Sequence, residues 1–168
     1  MDNARREVRA TRQIPARSLV ILRGDPARAL RVGYLSPDFG AHAVGGLLHP
    51  VLAAHDPVAV EPRLYALRQR TDPLADAYRR LPGFVDVAGQ PPQQVAARIA
   101  ADGIDILVDL GGYTEGALPA IAAARPAPLQ MAWLGLVGSM AAAFIDYQIV
   151  DAALVPPQLA GDFSEALL

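Results

Sequence analysis

The side chain best suited to chemistry in a predicted loop is His42, which follows an apolar stretch and precedes a pair of glycines. The surrounding residues, RVGYLSPDFGAHAVGG at 31–46, predict a strand, a turn around Pro37 and then an apolar helix. A neutral histidine in such a loop can accept a hydroxyl proton or hydrogen-bond a phosphate oxygen. A solvated loop histidine without a chemical role is the alternative, and the residue types alone leave both open.

Two later loops also follow predicted strands and carry groups that could bind an oxygen-rich ligand. Gly111 and Gly112 lead into Tyr113 and Thr114, and a second glycine-containing loop occupies residues 135–141. Exposed backbone amides of glycine loops can hold phosphate or sugar oxygens. Glycines are also common turn residues after strands, so a purely structural role stays open as well.

These loops depend on a regular alternation of strands and helices. The apolar patterns predict strands at about 30–35, 58–67, 84–87, 104–110, 129–134 and 144–150. Helices are predicted at about 44–54, 71–80, 91–101 and 115–124. Because parallel strands need crossovers, this alternation predicts an α/β fold with a doubly wound, Rossmann-like parallel sheet. In such a sheet the loops after the first and fourth strands lie side by side, which places His42 near residues 111–114.

Composition excludes several kinds of site. The 168 residues contain no cysteine, which removes disulfides, thiolate catalysis and cysteine metal ligands. All 15 basic residues are arginine, so a Schiff-base lysine and the lysine of a Walker loop are excluded too. The sequence has neither a histidine pair at metal-binding spacing nor a Gly-x-Gly-x-x-Gly after a strand, so no metal site or dinucleotide fingerprint is predicted.

Charge and hydropathy set expectations for partners and location. The net charge of -2 gives no reason to expect nucleic acid or an acidic membrane as a partner. No apolar run reaches the roughly 18 residues of a membrane span and no apolar signal core is present, so a cytoplasmic protein is predicted. Residues 1–28 carry seven arginines against three acidic residues, which predicts a solvated basic leader or linker, with a basic docking tail as the alternative. The domain itself is predicted at 29–168.

Four segments together resemble the catalytic region of the protein O-GlcNAc transferases and of the related SPINDLY-type O-fucosyltransferases. They are LRVGYLSPDFGAH at 30–42, ARIAADGIDILVDLGGYTEG at 97–116, RPAPLQMAWLG at 125–135 and IDYQIVDAALVPP at 145–157. The segments occur in the order found in that family and cover most of the predicted domain. The DGIDILVDL-GGYT and RPAPxQ-xxWLG pieces are specific in combination.

The resemblance implies the first lobe of a GT-B glycosyltransferase, in which two Rossmann-like lobes face each other across a cleft. It also implies transfer from a nucleotide sugar, without a metal or other cofactor, to serine or threonine hydroxyls of a protein or peptide acceptor. His42 matches an active-site histidine that lies near the donor phosphate and the acceptor and has been considered as a base. Tyr113, Thr114, Leu134 and Gly135 match residues that line the sugar side of the cleft.

Departures from the family pattern bear on function. The family continues past the last residue of this chain into a second lobe, which supplies most nucleotide contacts, so a separate second lobe is expected as a partner. The family loop Gly-Tyr-Pro-Gly-Thr-Ser/Thr-Gly reads Gly-Leu-Val-Gly-Ser-Met-Ala at 135–141. In addition, Ala43 stands where the family usually has proline or serine.

The resulting hypothesis is part of an inverting, O-GlcNAc transferase-like enzyme that uses UDP-GlcNAc. Little or no transfer is expected from this lobe alone, because positioning across the cleft provides most of the catalysis. The alternatives are a degenerate binding or scaffold module, an O-fucosyltransferase-type lobe that uses GDP-fucose, and a free-standing domain that binds a small nucleotide. The motifs shared by both families do not choose between the two donor sugars.

Overall fold

A computed structural model describes residues 28–168, which form a seven-stranded parallel sheet with helices on both sides. The strands are β1 Leu30–Ser36, β2 Val60–Ala66, β3 Phe84–Asp86, β4 Ile106–Asp109, β5 Leu129–Ala132, β6 Tyr147–Gln148 and β7 Ala166–Leu167. Their order across the sheet is β3-β2-β1-β4-β5-β6-β7. The leader predicted at 1–28 lies outside the described residues except for Arg28, so it stays a prediction.

Four α-helices and one 3₁₀ helix connect these strands. They are α1 Ala43–Ala53, α2 Pro73–Arg79, α3 Pro92–Ala101, α4 Pro119–Ala123 and the 3₁₀ helix Pro157–Asp162. Proline opens α2, α3 and α4 at a position where a backbone N–H would have no helical partner. None of the helices within residues 28–168 has the length and hydropathy needed to cross a membrane. The cytoplasmic location stays a prediction.

The helices bury both faces of the sheet, which explains why its central strands are almost wholly apolar. Along β1, Tyr34 belongs to a core cluster with α1 and α2, whereas its neighbour Leu35 belongs to the opposite cluster with α3 and α4. Successive side chains of a strand point to opposite faces, so a strand covered on both sides needs apolar residues throughout. Leu48 of α1 and Ile99 of α3 are fully buried in the two clusters.

The predicted doubly wound α/β sheet is confirmed, and the differences lie at the ends of elements and after β5. The helix predicted at 115–124 begins only at Pro119, because Gly116 has a φ of +83°, outside the helical region. The strand predicted at 144–150 is reduced to the two residues of β6. The sequence prediction does not include β7, because its two residues carry no local pattern and pair with β6 only through the tertiary fold.

The centre of the sheet sets the position of the functional loops. β1 pairs with β4 in parallel, with Leu35 opposite Asp109, although the chain forms β2 and β3 on the other side of β1 first. This reversal is the switch point at which open α/β sheets bind their ligands. The loops after β1 and β4 therefore lie side by side, as the alternation of elements predicts.

Candidate active site

A cavity of about 470 Å³ lies where the loops that follow β1, β2, β4 and β5 meet. The residues that line it are Asp38, His42, Val44, Arg68, Arg70, Thr114, Glu115 and Gly135. Three of the five residues predicted for the site, His42, Thr114 and Gly135, therefore share one cavity. Their roles in binding and catalysis stay predictions.

The loop after β1 holds His42 at the start of α1. The imidazole Nδ1 accepts a hydrogen bond from the Val44 N–H at 3.2 Å, which makes His42 the N-cap of the helix. The loop can fold back this tightly because position 45 is a glycine: a Cβ there would overlap the Gly40 carbonyl oxygen. The tight turn and the cap together set the direction of the imidazole.

Asp38 forms an ion pair with Arg70 and also lies close to His42. One oxygen of this buried carboxylate accepts a hydrogen bond from Arg70 Nη2, and the other lies 3.7 Å from His42 Nδ1. Arg70 also donates from Nε to the Pro37 carbonyl at 3.2 Å. The Arg70 guanidinium is therefore held by two partners, and its charge is balanced by Asp38.

The neutral form of His42 can hold its proton on either ring nitrogen, and the two forms have different partners. When Nδ1 accepts from Val44, the proton lies on Nε2, and the ring can only donate a hydrogen bond to a ligand. When Nδ1 carries the proton it faces Asp38, and Nε2 becomes an acceptor that can take a proton. The separation of 3.2 Å to Val44 against 3.7 Å to Asp38 favours the first form.

The buried carboxylate of Asp109 shapes the loop after β4. One of its oxygens accepts hydrogen bonds from the Gly111 and Gly112 amides, at 2.9 and 3.2 Å. Burial raises the pKa of the Asp109 carboxyl, and the two amide hydrogen bonds offset part of that shift. The Thr114 hydroxyl closes the turn by donating to the Gly111 carbonyl at 2.7 Å. Because both glycine amides bind Asp109, they support the turn rather than a ligand.

Gly135 brings the loop after β5 against the end of β4. A Cβ at this position would overlap the Leu110 carbonyl oxygen, so only glycine permits the contact. The preceding Leu134 has a φ of +65°, a left-handed conformation that is strained for leucine. Leu134 does not line the cavity that contains His42, but a neighbouring apolar cavity that it shares with Trp133.

Tyr113, the fifth predicted residue, does not line the cavity either. Its hydroxyl donates to the Met140 carbonyl at 2.9 Å, which ties the loop after β4 to the loop at 135–141. The carboxylate of Glu165 accepts hydrogen bonds from the Ser139 hydroxyl and the Met140 amide in that same loop. In this structure Tyr113 and Glu165 hold the loop that begins with Gly135.

Besides Asp38 and Val44, which flank His42, three lining residues are absent from the sequence prediction: Arg68, Arg70 and Glu115. Arg68 Nη2 lies 3.3 Å from a carboxylate oxygen of Glu115, in an ion pair that joins the loops after β2 and β4. The two arginines could have been predicted from their position directly after β2. Because β2 pairs with β1 in parallel, the loops that follow these two strands lie at the same edge of the sheet. Glu115 directly follows the predicted Thr114.

The described residues offer no obvious metal site. Between residues 28 and 168, no three or more histidine, aspartate or glutamate side chains are grouped so that they could hold a metal ion. The expectation that the reaction needs no metal stays a prediction.

Comparison with known proteins places this chain in a family. Residues 21–168 match the sequence model of glycosyl transferase family 41. A UDP-N-acetylglucosamine–peptide N-acetylglucosaminyltransferase of Caenorhabditis elegans is 42% identical over 141 residues, which cover 82% of this chain and 12% of that protein. The probable UDP-N-acetylglucosamine–peptide N-acetylglucosaminyltransferase SEC of Arabidopsis thaliana is 37% identical over 149 residues, 84% of this chain and 15% of that protein.

A similarly named probable transferase, SPINDLY of Petunia hybrida, is 33% identical over 138 residues, 79% of this chain and 15% of that protein. The chain therefore spans only 12% to 15% of the length of these curated relatives.

A solved structure shares the fold. A mutant O-GlcNAc transferase of Thermobaculum terrenum superimposes with a TM-score of 0.81 and 36% sequence identity, covering 86% of this chain and 28% of that chain. This match confirms the predicted fold class, a Rossmann-like lobe of a GT-B glycosyltransferase, and the resemblance read from the four sequence segments. Since the family model covers residues 21–168, the chain belongs to glycosyl transferase family 41.

Proposed function

We propose that this chain is part of an inverting glycosyltransferase that moves GlcNAc from UDP-GlcNAc to serine or threonine hydroxyls of proteins. The names of the relatives from Caenorhabditis elegans and Arabidopsis thaliana support this donor and a peptide acceptor. The observation that carries the proposal is the convergence of His42, Thr114 and Gly135 on one cavity at the switch point of the sheet. A scaffold module, the alternative from another class, has no need of a cavity that gathers these groups.

The transfer forms one bond and breaks one bond at the anomeric carbon of the sugar. The acceptor hydroxyl oxygen bonds to that carbon from the face opposite the diphosphate, which inverts its configuration. The bond from the carbon to the β-phosphate oxygen breaks, and UDP leaves with the additional negative charge. The hydroxyl loses its proton. The site must therefore take up a proton and stabilise the developing charge on the diphosphate.

His42 suits one of these tasks in each of its neutral forms. With the proton on Nε2, the form favoured by the Val44 contact, the imidazole donates to a phosphate oxygen and stabilises the leaving diphosphate. With the proton on Nδ1, facing Asp38, Nε2 accepts the proton of the acceptor hydroxyl. Because the Val44 contact is the shorter one, we assign His42 to the diphosphate. We propose that the hydroxyl proton then passes to an oxygen of the departing UDP, which carries the additional negative charge.

The complete reaction requires more than this chain. The chain covers 28% of the Thermobaculum terrenum enzyme and 12% of the Caenorhabditis elegans relative, so we propose that a second lobe supplies the remaining donor contacts. Little or no transfer by the chain alone is expected, because the relative positioning of donor and acceptor provides most of the acceleration. We also propose that no metal ion takes part.

Donor binding can be tested on the chain by titration calorimetry with UDP-GlcNAc and with GDP-fucose, in buffer that contains EDTA. The single tryptophan, Trp133, lies two residues before Gly135 and provides a fluorescence readout from the same loop. Saturable binding of UDP-GlcNAc that His42→Ala weakens supports the proposal. A clear preference for GDP-fucose would instead assign the chain to the O-fucosyltransferase alternative.

If the isolated chain binds neither donor, the same variants are tested in a longer protein that carries both lobes. His42→Ala is expected to lower kcat by about 10²-fold or more, since a donor to the transition-state charge is lost. Arg98→Ala, an exposed arginine on α3 that is ion-paired with Asp102, serves as the control and should leave transfer unchanged. Full transfer by His42→Ala, or transfer that stops in EDTA and returns with a divalent cation, would overturn the corresponding part of the proposal.

A further inference from the structure

The two arginines that line the cavity are held very differently. The Arg70 side chain is 21% exposed and is bonded to both the Asp38 carboxylate and the Pro37 carbonyl. The Arg68 side chain is 43% exposed, and its ion pair with Glu115 spans 3.3 Å. Because Glu115 is itself 94% exposed, this contact is a surface ion pair of the weak kind.

Arg68 can therefore change partners at little cost. Its guanidinium rests against the turn at Gly116, where φ is +83° and a Cβ would come within 2.6 Å of Nη2. Glycine at this position leaves the space that the guanidinium occupies. Since Arg68 and Glu115 are both in contact with solvent, breaking their ion pair leaves no buried group without a partner.

The charges around the cavity show which cation is available to a ligand. Two positive side chains, Arg68 and Arg70, and two negative side chains, Asp38 and Glu115, line it. Asp38 and Arg70 neutralise each other through a direct hydrogen bond. This leaves Arg68, with Glu115 as its internal counter-ion, and a ligand that offers two oxygens would give the planar guanidinium a better partner.

We propose that Arg68 is the cationic side chain of this cavity that binds an oxyanion and that Glu115 competes with the ligand for it. The oxyanion is either the diphosphate of the donor or the carboxylate of an acidic residue in the acceptor. The identity of these substrates rests on the proposed function, whereas the binding group rests on the geometry of the cavity. Because His42 lines the same cavity, Arg68 and His42 act on the same bound substrates.

Two probes distinguish the sources of the oxyanion. The first is inorganic pyrophosphate. The second is a serine-containing peptide in which the residues beside the serine are either glutamate or glutamine. Each is titrated calorimetrically into the wild-type chain and its variants. Arg68→Ala is expected to weaken the probe that binds by about tenfold or more, because a charge-assisted hydrogen bond is lost. Glu115→Gln is expected to tighten the same probe several-fold, a gain that a folding defect cannot produce. Arg98→Ala is the matched control and should change neither.

The outcomes of these titrations distinguish a donor-binding from an acceptor-binding role of Arg68. Weakened pyrophosphate binding assigns Arg68 to the donor, and weakened binding of the glutamate peptide alone assigns it to the acceptor. Equal affinities for wild type and Arg68→Ala, or no binding of either probe by the wild-type chain, would overturn the proposal. If pyrophosphate binds through Arg68 while neither UDP-GlcNAc nor GDP-fucose binds the longer protein that carries both lobes, the oxyanion site stands and the proposed donors are wrong.

Discussion

The Ser139 hydroxyl donates a hydrogen bond of 2.7 Å to the carboxylate of Glu165, the residue that directly precedes β7. The same carboxylate accepts the Met140 amide at 3.0 Å and is almost completely buried. Met140 also accepts the Tyr113 hydroxyl through its carbonyl oxygen. Tyr113 and Glu165 therefore both anchor the loop at 135–141, whose sequence departs from the family pattern and whose first residue, Gly135, lines the cavity.

Removing this anchor should destabilise the fold and disturb the loop. Glu165→Ala removes one partner of the Ser139 hydroxyl and the acceptor of the buried Met140 amide, so we expect the free energy of unfolding to fall by about 1–3 kcal/mol. Urea unfolding followed by circular dichroism measures this loss, and the emission of Trp133 reports on the loop. Glu165→Gln keeps the shape and one acceptor oxygen and should lose less. Equal stability of Glu165→Ala and wild type would show that the anchor is not needed.

Two glycines in the same loop should respond differently to the same change. Gly135→Ala forces a Cβ onto the Leu110 carbonyl oxygen and should cost about 1–3 kcal/mol of unfolding free energy, because the backbone has to move. Gly138→Ala is the matched control, since no atom lies within 4 Å of a Cβ built there. The melting temperatures of the two variants and of wild type are compared by thermal unfolding. Similar melting temperatures for both variants would contradict the close contact at Gly135.

The structural and chemical contributions of His42 can be separated by two substitutions. His42→Ala removes the N-cap of α1 and should lower the unfolding free energy by about 0.5–2 kcal/mol. His42→Asn keeps an oxygen that can cap the helix, so its stability should stay close to that of wild type, while the imidazole is lost. Denaturant unfolding and donor titration are run on both. Restored donor binding in His42→Asn would mean that the cap, rather than the imidazole, is what the site requires.

Asp72 should make the fold sensitive to acid. Hydrogen bonds from the Ala41 and Ala75 amides hold the pKa of its carboxyl below the ordinary value of 3.8. Because the folded-state pKa is the lower one, the carboxylate stabilises the fold above pH 3.8, and this contribution is lost as the pH falls toward the folded-state pKa. The melting temperatures of wild type and Asp72→Asn should therefore differ at neutral pH and converge in acid. A difference that stays constant with pH would exclude this role.

Much of the architecture follows from local pattern. The strands around Leu35 and Val108 are apolar runs, and the helices begin at proline or at a capping residue, so both kinds of element can be predicted from neighbouring residues. The placement of the first loop beside the fourth follows from the alternation of strands and helices, because parallel strands require crossovers. On that basis His42 and Thr114 could be predicted to lie near each other. The four motifs and their order were sufficient to identify the family.

Interactions between distant residues could not be predicted in this way. β7 and Glu165 carry no periodic signal, and their partners lie in β6 and in the loop at 135–141. The basic residues after β2 are visible in the sequence, but the availability of Arg68 follows from the pairing of Arg70 with Asp38 across two loops.

The directions of neighbouring side chains could not be predicted from the sequence either. Tyr113 and Thr114 are adjacent and were both predicted to line the site, yet Thr114 lines the cavity and Tyr113 bonds to Met140. Residue type and spacing place a residue in a loop, but adjacent residues of a turn point in different directions. Which of them lines the cavity is decided by packing against loops that are remote in the chain, and that packing exists only in the folded molecule.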